Sequence, residues 1–208
     1  MTLFPRNRPV LTEPIDPEQK RPIRSYVIRS GRLTGSQRKA IDEHWQDYVI
    51  EYEKSLLDTD QLFEKSSPLV VEIGFGMGDS LLQMAIDNPS KNYIGIEVHR
   101  PGVGKLLHGI AENQIPNLKI ICHDAKEVVE HCFADQSISR LQIYFPDPWP
   151  KKRHNKRRLV QKEFIESLLV KMAPDAEIHM ATDVQAYAEH MMEVLESIGK
   201  LSNANGQN

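Results

Sequence analysis

The chain has 208 residues, 40% of them hydrophobic and 26% charged, which is ordinary for a globular protein with one domain and a real core. Its formal net charge of -3 does not indicate a nucleic-acid-binding protein, and no apolar run is long enough to span a membrane. The two cysteines, Cys122 and Cys132, lack the spacing of metal ligands and indicate a reducing compartment, so we expect a soluble, cytoplasmic protein without a bound metal.

The basic residues are concentrated in two places although the net charge is negative. Six cations lie among the eight residues 151–158, and seven lie among residues 1–35 against three acids. The seven are Arg6, Arg8, Lys20, Arg21, Arg24, Arg29 and Arg32. The remaining body of the chain is therefore acidic, and the two basic places are candidates for contact with a polyanion.

The first segment of the chain has too few apolar side chains to form a hydrophobic core. Residues 1–25 contain five prolines and few large apolar side chains, so we expect residues 1–35 to form a flexible basic arm with a short extended piece at 26–34. Apolar residues at helical spacing then predict a helix over residues 36–57, capped by Thr34 or Ser36. A polar connection follows at residues 58–68.

A repeating strand–helix pattern fills the rest of the chain. Apolar runs predict strands at Leu69–Ile73 and at residues 92–97, 118–122, 138–145 and 177–182. Helices are predicted at Asp79–Asp87 and at residues 101–113, 124–132, 160–172 and 186–198. This alternation predicts an α/β fold, a mostly parallel sheet with helices on both faces, over residues 36–201. We expect a disordered tail at 202–208, and a ligand beyond the carboxyl ends of the strands.

A glycine-rich turn joins the first of these strands to its helix. Gly74, Gly76 and Gly78 permit a tight turn and let a ligand lie against bare backbone. The spacing is G-x-G-x-G, whereas a dinucleotide site has G-x-G-x-x-G. Glu72, two residues before the first glycine, would repel a pyrophosphate but would attract a positively charged ligand.

Three further acids stand at or just after the carboxyl ends of the next three strands. Glu97 stands where a carboxylate accepts hydrogen bonds from a ribose diol, and Asp124 where one accepts from the exocyclic amine of an adenine. Asp147 follows the fourth strand. Each acid taken alone is equally well read as a helix cap or a solvated loop residue. Together with Glu72 they favour a ribose–adenine ligand that carries a cation, and S-adenosylmethionine fits better than a dinucleotide.

The stretch 142–158 is the most unusual part of the chain. Pro146, Pro148 and Pro150 interrupt it after the strand and leave Asp147 and Trp149 between them. An acid and an aromatic ring are suited to recognising a planar nucleobase, and the cations that follow are suited to binding a phosphate backbone. The alternative is a strand end followed by a solvated basic helix. We expect Trp149 to shape the loop rather than to stack on a base.

These motifs resemble those of bacterial tRNA (guanine-N7-)-methyltransferases. The matching stretches are Val71-Glu-Ile-Gly-Phe-Gly-Met-Gly, Gly95-Ile-Glu-Val-His, Tyr144-Phe-Pro-Asp-Pro-Trp-Pro-Lys-Lys-Arg-His-Asn-Lys-Arg-Arg and Ala181-Thr-Asp. The third is the most specific, and the resemblance covers about residues 25–198.

The resemblance implies a Rossmann-like class I methyltransferase fold, S-adenosylmethionine as methyl donor, and N7 of guanine 46 in the tRNA variable loop as acceptor. It assigns cofactor binding to Glu72, Glu97, Asp124 and Asp147, beside the glycine turn, and catalysis to Asp147. Substrate contact is expected at Lys151, Arg153, His154, Asn155, Lys156, Arg157, Arg158 and Asp183. The partner is tRNA, with no membrane, and the protein is a monomer or a homodimer.

One departure concerns the end of the sheet. Members of this family continue with two more strands and a Thr-x-Phe-Glu motif, neither of which the sequence contains, so we expect a sheet without its last two strands and with one edge uncovered.

Two other classes remain open from the residues alone. One is a non-enzymatic RNA-binding protein on a decayed sheet, which the glycine turn and the four acids argue against. The other is a nicotinamide-dependent oxidoreductase, which the glycine spacing and the basic run argue against. The Pro-Asp-Pro-Trp order, without adjacent prolines, also disfavours an exocyclic-amine methyltransferase.

Overall fold

The computed structural model describes residues 24–27 and 31–204. Most of the predicted arm, with Arg6, Arg8, Lys20 and Arg21, lies outside the described residues, as do residues 205–208 of the predicted tail. Of the extended piece expected at 26–34, residues 28–30 also lie outside them.

A six-stranded sheet forms the centre of the described part, with the strand order β1-β4-β3-β2-β5-β6. All five strand pairs are parallel. The strands are Val49–Ile50 (β1), Leu69–Ile73 (β2), Asn92–Ile96 (β3), Leu118–Ile121 (β4), Ile138–Tyr144 (β5) and Met172–Ala181 (β6). The predicted α/β fold with a parallel sheet is confirmed, and the point where strand order reverses lies between β2 and β5.

Helices cover both faces of the sheet. They are Gly35–Tyr48 (α1), Thr59–Leu62 (α2), Asp79–Asp87 (α3), Arg100–Asn113 (α4), Ala125–His131 (α5), Lys162–Lys171 (α6) and Gln185–Ile198 (α7), with a 3₁₀ helix at Lys152–Arg157. The cap of α1 is Thr34, whose hydroxyl accepts from the Gln37 amide while the Gln37 side chain accepts from the Thr34 amide.

Side chains alternate across the strands and supply two separate cores. On one face, Val70, Tyr93 and Ile120 pack against α1, α3 and α4. On the other, Val71 and Ile143 pack against α5, α6 and α7. Because the sheet is sandwiched between these cores, its strand ends are rigid platforms for the residues that follow them.

The largest differences between the structure and the sequence prediction lie at three places. The first helix ends at Tyr48 rather than at residue 57, because Val49 and Ile50 pair with β4 as a short edge strand. The polar connection contains the short helix α2, capped by Asp58. Strand β6 begins at Met172 rather than at 177, and its pairing with β5 shifts register between Ile138 and Arg140.

Candidate functional site

The glycine turn, residues 74–78, leaves β2 at the reversal point of the strand order. Gly74, Gly76 and Gly78 all have positive φ, at 77°, 59° and 80°, which side chains rarely adopt. Helix α4 presses against this turn, since a Cβ on Gly102 would lie 1.8 Å from the Gly76 carbonyl oxygen. The turn is therefore packed against α4 on one side. Its other side is open, because a Cβ on Gly74 or Gly76 would meet nothing within 4 Å.

Glu97 links the end of β3 to the glycine turn. One carboxylate oxygen accepts from the Gly76 amide at 2.9 Å, and the other accepts from the Val98 and His99 amides at 2.7 and 2.9 Å. A carboxylate has about four lone-pair directions, so capacity remains for a ligand hydroxyl. The backbone therefore fixes this acid beside the turn at the end of β3, and its contact with a ribose stays a prediction.

Glu72 is the most deeply buried of the four acids. Its side chain, in a residue only 3% exposed, lies between Gly95 of β3 and Gln142 of β5, and its Oε2 has no hydrogen-bond partner among the described residues. Burial raises the pKa of Glu72 to about 7. A cation placed against Glu72 would favour its charged form and satisfy the orphan oxygen.

Gln142 was not singled out from the sequence. Its residue is also 3% exposed, its Oε1 has no partner among the described residues, and its amide donates a weak hydrogen bond to the Met84 sulfur at 3.6 Å. It lines a cavity of about 300 Å³ between β5 and α3. The available signal was a glutamine between two apolar residues of β5, Leu141 and Ile143.

Asp124 has two roles in the structure. It caps α5, with Oδ1 accepting from the Lys126 amide at 3.0 Å, so the cap reading is correct. Its Oδ2 lies 3.4 Å from the Arg24 guanidinium, a contact that the sequence did not suggest. Asp124 is buried, and it stands at the end of β4 as predicted.

The proline loop, residues 145–150, follows β5 in a strained conformation. Phe145 and Trp149 have φ of 48° and 44°, which is unusual for bulky side chains and marks stored strain. Asp147 lies between them and is exposed, as is Phe145. The loop therefore presents an acid to solvent at the edge where the other three acids are embedded. Together, Glu72, Glu97, Asp124 and Asp147 form the acidic edge.

Trp149 contacts a part of the chain far away in sequence. Its indole nitrogen donates to the Ser25 carbonyl at 3.0 Å, and the Arg157 guanidinium lies over its ring at 3.9 Å from the centroid. Arg157 also donates to the Arg24 carbonyl at 3.2 Å. The indole thus shapes the loop, as expected, and in addition holds residues 24–26 to it.

The basic segment, residues 151–158, forms a 3₁₀ helix at Lys152–Arg157. Lys151, Lys152, Arg153 and Lys156 are exposed and Arg157 is half-buried. Arg158 differs, because it is only 6% exposed, donates to the Pro148 carbonyl at 3.0 Å and lies over the Tyr187 ring. It braces the proline loop from inside, so the expected contact of Arg158 with substrate does not fit its burial.

The remaining predicted substrate residues lie around this segment. His154 is half-buried against Trp149, and desolvation together with neighbouring cations such as Arg153 lowers its pKa. The Oδ1 of Asn155 is buried without a hydrogen-bond partner among the described residues. Asp183 is exposed just beyond β6. His154 and Asn155 belong to the basic segment that follows β5, and Asp183 follows β6, so all three lie beyond the carboxyl ends of these strands.

Within 24–27 and 31–204, His, Cys, Asp and Glu side chains form no group of three or more that could hold a metal ion. No helix in the same ranges has the length and apolar character needed to cross a membrane.

Comparison with known proteins identifies relatives along most of the chain. A family model described as a putative methyltransferase matches residues 66–208. A tRNA (guanine-N(7)-)-methyltransferase of Histophilus somni is 47% identical over 193 residues, covering 93% of this chain and 77% of the relative. One of the same name from Pseudoalteromonas atlantica is 52% identical over 175 residues, covering 84% and 73%. Among solved structures, the 16S rRNA methyltransferase KamB aligns with a TM-score of 0.51 at 16% identity, over 74% of this chain and 70% of that one, which supports the fold alone.

Proposed function

The chain belongs to the tRNA (guanine-N7-)-methyltransferase family, and we propose that it transfers a methyl group from S-adenosylmethionine to N7 of guanine 46 in the tRNA variable loop. The acidic edge is the observation that carries this proposal. Four carboxylates at the ends of four neighbouring strands, around a glycine turn, suit a ligand with a ribose, an adenine and a positive charge.

The residues present fit S-adenosylmethionine. When bound, it supplies a methyl group on a positively charged sulfur. Glu97 would hold a ribose hydroxyl and Asp124 the adenine amine, while a cation against Glu72 would satisfy its orphan oxygen. The open side of the glycine turn leaves space for the ligand backbone, since no atom lies within 4 Å of a Cβ built on Gly74 or Gly76.

Transfer to N7 needs little proton chemistry from the protein. Guanine N7 carries an in-plane lone pair and no proton, so no general base is needed in the strict sense. The protein must align N7 with the methyl carbon and the sulfur, and must exclude water. Asp147 would accept hydrogen bonds from the N1–H and N2 amino group of guanine and would offset the positive charge that develops on the ring.

The basic segment would position the tRNA. Its exposed cations Lys151, Lys152, Arg153 and Lys156 lie directly after the proline loop that carries Asp147. Phosphate contacts fix orientation without reading sequence. The choice of guanine would then depend on Asp147 and on the shape of the tRNA.

The test is methylation of unmodified tRNA with labelled S-adenosylmethionine, followed by mapping of the labelled nucleoside. We expect the label as 7-methylguanosine at position 46, and none in a tRNA with adenosine at that position. Label on another nucleoside would overturn the proposed acceptor. Calorimetry with adenosylhomocysteine and with NAD tests the cofactor separately, and binding of NAD alone would overturn it.

A further inference from the structure

Residues 24–27 lie across the acidic edge although most of the residues that they touch are about 100 or more positions away in sequence. Two of their backbone carbonyls accept hydrogen bonds from side chains that belong to or follow the proline loop. The Ser25 carbonyl accepts from the Trp149 indole at 3.0 Å, and the Arg24 carbonyl accepts from Arg157 at 3.2 Å. Both bonds go to main-chain atoms, so they fix the path of the segment and leave its side chains for other contacts.

Those side chains reach Asp124. The Arg24 guanidinium lies 3.4 Å from Asp124 Oδ2 and also hydrogen-bonds to the Tyr26 hydroxyl. Tyr26 is half-buried, and burial followed by the charge of Asp124 raises its pKa. The segment therefore spans from the proline loop on one side to the end of β4 on the other.

We propose that residues 24–27 form a strap that closes the cofactor site, with Trp149 as its anchor and with Arg24 and Tyr26 as positioning residues for Asp124. This rests on the proposed function, because it takes Asp124 as the acceptor for the adenine amine. The Arg24 guanidinium, 3.4 Å from Asp124 Oδ2, orients that carboxylate, and the Tyr26 ring covers the site on its open side.

The anchor gives a reason for the strain at Trp149. The indole nitrogen is a donor only, and its hydrogen bond to Ser25 requires the ring to turn back over the loop. The positive φ of Trp149 and the Arg157 guanidinium over its ring hold it in that position. A merely solvated loop would relax out of such a conformation.

Closure has two consequences that can be measured. A ligand must pass the strap to leave, so loosening the anchor should speed dissociation and weaken affinity. The peptide bond after Arg24 should also be protected from trypsin while the Arg24 side chain is paired with Asp124 and both carbonyls are held.

The variant Trp149→Phe tests both, because it keeps an aromatic ring and removes the N–H. The matched control is Trp45→Phe, which removes the other indole of the chain and its hydrogen bond to Glu51 at 2.8 Å. Calorimetry with adenosylhomocysteine gives affinity, and mass spectrometry of tryptic fragments gives the cleavage rate after Arg24. We expect Trp149→Phe to weaken binding about three- to tenfold, the effect of one lost hydrogen bond, and to speed that cleavage. Trp45→Phe should match the parent.

The outcomes separate the strap from the proposed function. A parent that does not bind adenosylhomocysteine overturns the cofactor assignment. A parent that binds, with Trp149→Phe equal to Trp45→Phe, overturns the strap, as does faster cleavage at unchanged affinity. If Trp149→Phe does not fold, Tyr26→Phe, which removes only the hydroxyl, tests the strap instead. Weaker binding of adenosylhomocysteine by Tyr26→Phe supports the strap, and unchanged affinity overturns it.

Discussion

Two charged regions meet at the carboxyl edge of the sheet, and the fold holds their charges in different ways. In the acidic edge, the main chain fixes Glu97 through three amides and Asp124 as a helix cap. In the basic segment, most cations project into solvent from a short 3₁₀ helix. Fixed acceptors suit a small ligand of defined shape, whereas exposed cations suit a phosphate backbone whose contacts are interchangeable. Single substitutions should therefore have large effects in the first region and small ones in the second.

Asp147 is the strongest test of this contrast, because it belongs to the acidic edge yet is exposed. We expect Asp147→Ala to reduce the rate of methyl transfer by at least about 10²–10³-fold, the usual effect of removing one group that stabilises developing charge. Affinity for adenosylhomocysteine should stay within about tenfold, or 1.4 kcal/mol. Single-turnover kinetics with tRNA, alongside calorimetry, gives both numbers. Near-normal turnover would remove Asp147 from the reaction.

Glu97 tests the embedded acids. Glu97→Gln preserves size but removes the charge that a ribose hydroxyl would contact, and one hydrogen bond to a charged group contributes about 1.5–3 kcal/mol. We expect affinity for adenosylhomocysteine to fall by more than about tenfold, measured by calorimetry. The matched control is Glu112→Gln, because Glu112 is an exposed acid on α4, the helix that follows Glu97. An unchanged affinity would refute the ribose assignment.

Glu72 adds a dependence on pH. Its pKa near 7 in the folded protein means that it is largely neutral at pH 6 and charged at pH 8. A cationic ligand favours the charged form, so affinity for S-adenosylmethionine should rise up to about tenfold per pH unit below 7 and then level off. Binding should also release a proton, detected by calorimetry in buffers of different ionisation enthalpy. Glu72→Gln should abolish both effects, and an identical pH profile in that variant would contradict the role.

Stability should show the opposite dependence on pH. The pKa of Glu72 is higher in the folded than in the unfolded chain, so folding holds the proton, and the free energy of unfolding falls as pH rises from about 4.5 to about 7. The loss is at most about 3 kcal/mol above pH 7. Urea denaturation at pH 5 and pH 8 measures it, with Glu72→Gln as the control that lacks this contribution. A fall in Glu72→Gln equal to or larger than that in the parent would exclude Glu72 as its source.

The sequence predicted those parts of the molecule that depend on local patterns. The bounds of β2 and α3 were correct because an apolar run and a glycine turn mark them directly. The two-residue strand β1 was missed, since Val49 and Ile50 continue the helical spacing of α1 and become a strand only by pairing with β4. This strand depends on a tertiary contact, which no local sequence pattern indicates.

The same distinction holds within the candidate site. The four acids could be placed because each stands at or shortly after the carboxyl end of a predicted strand. The burial of Arg158 could not be foreseen, because it depends on the Pro148 carbonyl and the Tyr187 ring. Nor could the contact of Ser25 with Trp149, which joins residues 124 positions apart. Charge runs predict exposure on average, and packing decides the individual residue.

The basic segment should give the smallest effect per residue, and salt dependence measures it best. We expect Lys152→Gln, Arg153→Gln and Lys156→Gln together to flatten the slope of log affinity for tRNA against log salt by about two to three units, because each phosphate contact contributes up to about 0.9 on a duplex. Arg157 is left intact, since it also contacts Arg24 and Trp149.

The control for this triple variant must lose the same charge elsewhere. Lys54, Lys65 and Lys200 are exposed and lie outside the basic segment, so neutralising them lowers the net charge equally and isolates local contact from the general field of the protein. Filter binding over a salt series compares both triple variants with the parent. The first should weaken binding to different tRNAs alike, because phosphate contacts carry no base sequence. Equal slopes in the two variants would mean that the basic segment is a solvated surface and that the tRNA docks through other cations.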